Sequence, residues 1–497
     1  MKAIVKLDTD HRRGKIDPRI YSGFLEHLGR AIYGGIYDPS SSHSDKDGFR
    51  TDVLEALAQL HMPYIRYPGG NFVSNYDWRE GIGPHEKRPV RPDFAWKSLE
   101  PNTFGTDEFI KWCRKLGTEP MLAVNLGTMG SKEAATLVEY CNLDCGTYWT
   151  EMRRSNGSTL PHGVKLWCLG NEMDGPWQAG HVTAPEYAKR SQQAARLMKG
   201  LDPSIELVLC GSSARRMDTY LEWDRTVLEY CWNDVEYISA HRYSRNPDND
   251  SAWFLAEGVE IDRILADYAG VIAYVRGVKK SDRRIYVSFD EWNVWYKNQD
   301  REGGWTIAPH LLEEVYNLED ALVCAQYLNS FIRHADLVKV ACLAQIVNVI
   351  APVLTKADDL LIQSIYYPLQ LYATYGHGYS LVSVVDGPTY KAGVRGDVPM
   401  LDVSSAYQPD ASSVAVFIVN RSLSETIDVE ISVTGGKVRR IAGIEILTGH
   451  DPKSHNSWEH REIVQPSKGT ARMTGEGAVR LKAPALGLIA VRLDLMK

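Results

Sequence analysis

The sequence predicts an α/β protein built as a (β/α)8 TIM barrel joined to a C-terminal antiparallel β-sandwich of jelly-roll type. Three observations carry this. Short apolar runs bounded by turn residues alternate with long amphipathic stretches, as in a parallel sheet with crossover helices. The runs number eight over about 360 residues, within the ~200 to 400 residues that such barrels span. After about residue 381 helical periodicity stops, and only short strand-like runs separated by Gly, Pro, Ser and Asp remain.

The strand runs, in order, are YSGFLEH, PYIRYPGG, PMLAVNLG, KLWCLGNE, ELVLCGSS, YISAHRY, RIYVSFDEW and KVACLAQIVN. Between them lie helix candidates such as FRTDVLEALAQL, TDEFIKWCRKL, APEYAKRSQQAARLMKGL and EIDRILADYAGVIAYVRGV, the last apolar at roughly i, i+3, i+4 spacing. An open doubly wound sheet is the alternative, but no G-x-G-x-x-G or Walker loop follows any strand. Beyond the barrel, SSVAVFIVNRS, IDVEISV and LGLIAVRLDL read as sandwich strands, and the opening AIVKLD can supply one more. The expected division is a barrel over 15–381 and a sandwich formed by 1–14 plus 382–497. Internal repeats and low-complexity segments are absent from the sequence.

A chain of 497 residues, 44% hydrophobic, can bury a large core. Its net charge of −7 comes from interspersed charges with no basic face, so nucleic acid is not an expected partner. The N-terminus MKAIVKLDTDHRR lacks a secretory apolar region, and no later stretch offers ~18 uninterrupted apolar residues, so a cytoplasmic protein without membrane contact is expected. The eight cysteines sit mostly in apolar runs, as buried small side chains would. Cys141 and Cys145 (CNLDC) have no second pair or His cluster to complete a zinc site.

In such a barrel the site forms where the C-terminal strand ends meet. Polar residues there are Glu26, Arg66 with Asn71, Asn125, Asn171 with Glu172, Ser212, His241 with Tyr243, Glu291 and Gln345. Strand alternation places Val287, Phe289 and Glu291 on one face, likewise Leu166, Cys168, Gly170 and Glu172, and Ala341, Leu343 and Gln345. Trp96, Trp177, Trp292 and Trp295 can offer apolar faces to sugar rings. Gathering so many polar groups around one pocket suits a polyhydroxylated ligand. Two facing glutamates then suggest glycoside hydrolysis, one protonated to assist the leaving oxygen and one ionised to attack or to activate water. Arg66 or Tyr243 would hold Glu291 ionised, and Glu172, near that charge and Trp177, would be the acid.

A metal centre finds donors in His27, His241, Glu26 and Asp290, but no close ligand spacing, and alternation turns Asp290 away from Glu291. The G-x-S-x-G signature of serine hydrolases is missing. No cofactor or metal is expected.

The motifs GNEMDGPWQAGH, FDEWNVWY, GFLEHLGRAIYGGIYDP, RYPGGNFVSNYDW and LAQIVNVIAP closely resemble those of the α-L-arabinofuranosidases of glycoside hydrolase family 51, in the same order and over essentially the whole chain. The resemblance implies a retaining, cofactor-free hydrolase with Glu172 as acid/base and Glu291 as nucleophile. It implies that Glu26, Arg66, Asn71, Asn171, Tyr243 and Gln345 bind the arabinofuranosyl ring or orient the two carboxylates, with Trp96 and Trp295 lining subsites. The implied substrate is a terminal α-L-arabinofuranosyl unit on arabino-oligosaccharides, arabinan or arabinoxylan fragments, and the implied assembly is a homo-oligomer, a hexamer.

Two residues depart from the family pattern: Tyr67 stands where tryptophan is common, and Arg242 where an uncharged residue is expected. The segment NQDREGGWTIAPHLLEE is expected to cover the site or to lie against another subunit. The rival readings are a barrel hydrolase acting on β-linked xylosides or glucans and a non-catalytic carbohydrate-binding protein; the latter predicts loss of one of the two glutamates, and both are present.

Overall fold

The computed structural model describes residues 1–296, 305–475 and 477–496. Eight parallel strands close into a barrel: β1 (Ser22–Phe24), β2 (Tyr64–Tyr67), β3 (Glu119–Val124), β4 (Leu166–Leu169), β5 (Glu206–Leu209), β6 (Tyr237–Ser244), β7 (Tyr286–Val294) and β8 (Val338–Ala344). These are the eight runs the sequence marked. Each strand is buried on both faces, which is why the runs read as continuously apolar rather than alternating. The barrel interior is filled by Phe24, Met121, Cys168, Val208, Val340 and Cys342.

The inward parity of two strands differs from the expectation. On β7 the register runs Ser288 to Ser239 and then Glu291 to His241, so three residues face two and the strand bulges. Val287 and Phe289 therefore point outward, Phe289 against Phe331 at 5.2 Å between centroids. Ser288, Asp290 and Glu291 all point inward, and Asp290 is not turned away. On β8 it is Val340, Cys342 and Ala344 that face the interior, while Ala341 and Leu343 pack against the helices. Gln345 lies past the end of that strand, where alternation no longer applies.

The second body is a ten-stranded, mostly antiparallel sheet folded over its own core. The N-terminal strand Lys2–Lys15 belongs to it, antiparallel to Tyr379–Asp386 and parallel to Ile427–Thr434. Its buried residues Ala3, Val5 and Leu7 alternate with exposed Lys2, Ile4 and Lys6, the period-two pattern of a half-buried strand. The helix Leu318–Arg333 joins the two bodies and is buried from Leu318 to Ile332. Asn329 and Arg333 on it hydrogen-bond Asp402 of the sandwich. All eight cysteines are free thiols, and seven of them are buried.

Candidate active site

Glu172 and Glu291 meet at the C-terminal mouth of the barrel. β4 ends at Leu169, and Gly170 (φ +86°) turns the chain so that Glu172, itself left-handed at φ 42°, projects over the opening. That conformation is uncommon for a residue with a Cβ and is of the kind held in place at functional sites. The β7 bulge aims Glu291 at the same point. One oxygen of each carboxyl and one nitrogen of His241 lie within 4.8 Å of one another.

Donors surround both carboxyls. Arg66 Nη1 donates to Glu291 Oε1 at 2.8 Å and Tyr243 Oη to Oε2 at 3.0 Å. Arg66 Nη2 donates to Asn171 Oδ1 at 2.6 Å, which ties the residue before the acid to the same guanidinium. Glu172 Oε2 accepts from Trp177 Nε1 at 2.7 Å, and its Oε1 lies 3.0 Å from His241 Nδ1. His241 Nε2 lies 3.0 Å from Asp290 Oδ1, and Asp290 Oδ2 accepts from Ser288 Oγ at 3.1 Å.

Burial alone would lower the His241 pKa, but the Glu291 charge and hydrogen bonds to Asp290 and Glu172 raise it to about 10. The ring is then an imidazolium that donates from both nitrogens. Burial raises the Glu291 pKa, and the neighbouring Glu172 charge raises it further, against the opposing His241 and Arg66 charges. Arg66 and Tyr243 donate to this carboxyl as expected, and desolvation and the second carboxyl act against the Arg66 charge. Asp290 goes the other way, since the Arg66 charge and the His241 hydrogen bond overcome its burial and hold it below the usual carboxylate range.

A second group of ring-binding candidates forms one wall. Glu26 follows β1, and its backbone N–H donates to Gln345 Oε1 at 2.9 Å. Its carboxyl accepts from Phe72 N–H and from Trp96 Nε1, each at 2.9 Å. Burial, with the Glu291 charge adding to it, pushes this carboxyl up to about 8. Gly69 and Gly70 make room for it, because a Cβ on Gly70 would sit 2.6 Å from Glu26 Oε2. Trp96 is carried by the turn between Arg91–Asp93 and Ser98–Glu100. Asn71 opens the turn Asn71–Asn75 beside Phe72, its carbonyl accepting from Gln178 Nε2 at 3.4 Å. Trp295 stands edge-on to Tyr243 with centroids 5.1 Å apart.

Other candidates fall away from the pocket. Asn125 caps its own loop, accepting from the Gly127 and Thr128 amides, and Ser212 is bound by Asp224. Trp292 is buried and stacks on Tyr327 at 4.9 Å, so it is a core residue and not a sugar platform. Neither departure from the family pattern faces the pocket. Tyr67 stacks on Phe109 at 4.2 Å and bonds His27 Nε2, and Arg242 pairs with buried Glu257 at 2.9 Å. Of NQDREGGWTIAPHLLEE, residues 298–304 lie outside the described residues. Its remainder rests on this chain's own Trp96 hairpin, where Thr306 O accepts from Leu99 N–H at 2.9 Å.

Sequence reasoning set aside Asp290, did not single out Gln178, and named His241 at a strand end and as a metal donor but not as a partner of the two glutamates. His241 shares parity with Tyr243, which was a usable signal, whereas the bulge that turns Asp290 inward has none in a single sequence. Among the described residues, Glu172, His241 and Glu291 are the one cluster with metal-donor spacing. Their donor atoms are already engaged, and the Arg66 cation 2.8 Å from Glu291 opposes a divalent ion there.

Paired carboxyls, one backed by arginine, at the mouth of a (β/α)8 barrel define a barrel glycoside hydrolase. Two family models match the chain, the α-L-arabinofuranosidase 1 domain over 56–260 and the α-L-arabinofuranosidase C-terminal domain over 290–486. It is 46% identical over 470 residues to an intracellular exo-α-(1→5)-L-arabinofuranosidase of Acetivibrio thermocellus, covering 93% of each chain. It is 40% identical to an exo-α-(1→6)-L-arabinofuranosidase of Bifidobacterium longum, covering 98% of this chain and 96% of the other. Among solved structures, a family 51 α-L-arabinofuranosidase from Bifidobacterium longum superposes with a TM-score of 0.95 at 37% identity, covering 99% of each chain. An arabinose complex of the α-L-arabinofuranosidase from Thermotoga maritima follows at TM-score 0.90 and 33% identity, covering 100% of each. The chain belongs to the α-L-arabinofuranosidases of glycoside hydrolase family 51.

Proposed function

We propose that this protein is a retaining, exo-acting α-L-arabinofuranosidase that removes terminal α-L-arabinofuranosyl units from arabino-oligosaccharides and from arabinan or arabinoxylan fragments. The observation that carries this is the close approach of the two carboxyls, with oxygens of Glu172 and Glu291 within 4.8 Å. Retaining glycosidases hold them ~5–5.5 Å apart, whereas inverting ones need ~6.5–9.5 Å to admit a water between.

In the first half-reaction Glu291 attacks C1 and Glu172 gives its proton to the glycosidic oxygen, so the C–O bond breaks and an arabinofuranosyl ester forms on Glu291. In the second, Glu172 takes a proton from water, the water oxygen bonds C1, and Glu291 leaves as a carboxylate. Arg66 and Tyr243 donate to both Glu291 oxygens, an arrangement that suits the ionised nucleophile. Glu26, Asn71 and Asn171 bind the ring hydroxyls, and Gln345 holds Glu26; hydrogen bonds that tighten as the ring flattens raise turnover rather than affinity alone. Trp96 and Trp295 line the pocket.

The Acetivibrio relative is named intracellular, which supports a cytoplasmic enzyme supplied with short oligosaccharides. The family resemblance supports a hexamer, which sedimentation velocity tests. The activity is tested by initial rates on p-nitrophenyl α-L-arabinofuranoside beside the β-D-xyloside and β-D-glucoside, with and without EDTA. A chelator-resistant rate confined mainly to the arabinofuranoside is expected, and activity only on the other two sugars contradicts the assignment.

A further inference from the structure

Trp177 is 45% exposed, yet its one polar atom is spent inside the site, on Glu172 Oε2 at 2.7 Å. The turn that carries it is built around that contact. Gly175 N–H donates to the Glu172 carbonyl at 2.8 Å and Gln178 N–H to the Gly175 carbonyl at 3.0 Å, closing two successive turns. The indole lies directly on Gly175, where a Cβ would stand 2.5 Å from the ring and 3.0 Å from Nε1. The position therefore requires glycine for the ring to reach the carboxyl.

With His241 Nδ1 on Oε1 and Trp177 Nε1 on Oε2, both oxygens of Glu172 face donors. The other charged or titratable groups around it are Glu291 and Tyr243 across the barrel mouth, Asp174 on its own turn, Cys210 beneath that turn, and Asp290 behind the imidazole. Of the two donors, only the indole sits at the solvent side, where the leaving-group sugar must pass.

On the reading that Glu172 is the acid/base, we propose that Trp177 is a positioning residue for it: the indole N–H, seated on Gly175, fixes Oε2 where Glu172 must accept the proton of the attacking water. The contact therefore serves the second half-reaction. An apolar sugar platform would need the ring but not its N–H, and that difference makes the two roles separable.

The test compares wild type with Trp177→Phe, which keeps a ring but loses the donor, and Gly175→Ala, which lifts the indole off its seat. Both are assayed on an aryl arabinofuranoside with an acidic phenol, which needs little proton assistance, and on an arabinobiose, which needs it. Loss of the donor on Oε2 should displace the basic limb of the arabinobiose kcat/KM profile in both variants. On the activated substrate kcat falls about threefold to tenfold while kcat/KM stays near wild type, because only hydrolysis of the ester is slowed. Trp177→Phe with an unmoved basic limb and unchanged kcat overturns the proposal and leaves Trp177 as an apolar surface. Glu172→Ala is run alongside: it should lose the basic limb and, with azide, give the α-azide. If it keeps the limb, the acid/base assignment itself fails, and this inference with it.

Discussion

Asp290 and His241 stand 3.0 Å apart on the inner face of the barrel, on adjacent strands, because β7 bulges between Ser288 and Glu291. The carboxylate holds one ring nitrogen and thereby turns the other toward Glu172. Together with the Glu291 charge it makes the imidazole a resident cation between two acids. The pair supports Glu172 from the barrel interior.

That support has a pH signature. The His241 pKa is raised from 6.5 to about 10, so its contribution to stability is complete below about pH 6.5 and is lost as pH climbs through about 10. Asp290→Asn removes one of the groups that raise it, and the loss should then begin at lower pH. Thermal melts from pH 6 to pH 10 should show the variant's Tm falling earlier than that of wild type; parallel curves would remove Asp290 from this role.

Glu26 is the converse case. Its carboxyl is pushed from 4.5 to about 8 by burial, so the folded state prefers it protonated, and stability is lost as pH rises through that range. Glu26→Gln cannot ionise. Its Tm should match or trail wild type at pH 4.5 and exceed it above pH 8, and on the proposed contact of Glu26 with the ring turnover should fall. A Tm difference that is constant with pH counts against the buried-acid account.

The tryptophans of FDEWNVWY should separate cleanly. Trp292 is sealed between Tyr327 and Phe331 at 4.9 and 5.5 Å, so Trp292→Ala should cost ~3–5 kcal/mol of stability. Trp295, edge-on to Tyr243 at the pocket, should raise KM on alanine substitution with little change in Tm. Melting curves and saturation kinetics on the two variants check this, and the reverse pattern would contradict a core Trp292 and a pocket Trp295.

Arg242 should matter to the fold and not to the reaction. It points outward and shares Glu257 with Arg395, so Arg242→Ala lowers Tm by weakening a buried ion-pair network, and KM and leaving-group preference stay within about twofold of wild type. A changed ratio of rates on two leaving groups would place its charge in the pocket after all.

Much of this was legible in the sequence, and the exceptions share a cause. The eight barrel strands announced themselves because both faces of each are buried, and Glu172 and Glu291 sit where strands end in polar residues. Glu26, Arg66, Tyr243 and Trp96 also proved to contact one another or the two glutamates. Alternation failed on β7, since one extra residue inverts parity: it assigned Phe289 inward and Asp290 outward, the opposite of what is found. It failed at Gln345 because the strand stops one residue short. Trp292 was misread because a tryptophan near a strand end serves a helix-facing core as readily as a sugar face, and Asn125 and Ser212 because capping and binding use the same polar residue types at strand ends. Glu172, Gly175 and Trp177 lie within GNEMDGPWQAGH, but the seat that Gly175 gives the indole is visible only in the folded turn.

On the proposed mechanism Glu291 forms a covalent bond to the sugar while Glu172 governs both proton transfers. Peptide mapping by mass spectrometry of Glu172→Ala, quenched during turnover of 2,4-dinitrophenyl α-L-arabinofuranoside, looks for that bond itself. An arabinofuranosyl adduct on the peptide containing Glu291, with the α-anomer released first, is the predicted result. Absence of any adduct together with initial release of the β-anomer would contradict it.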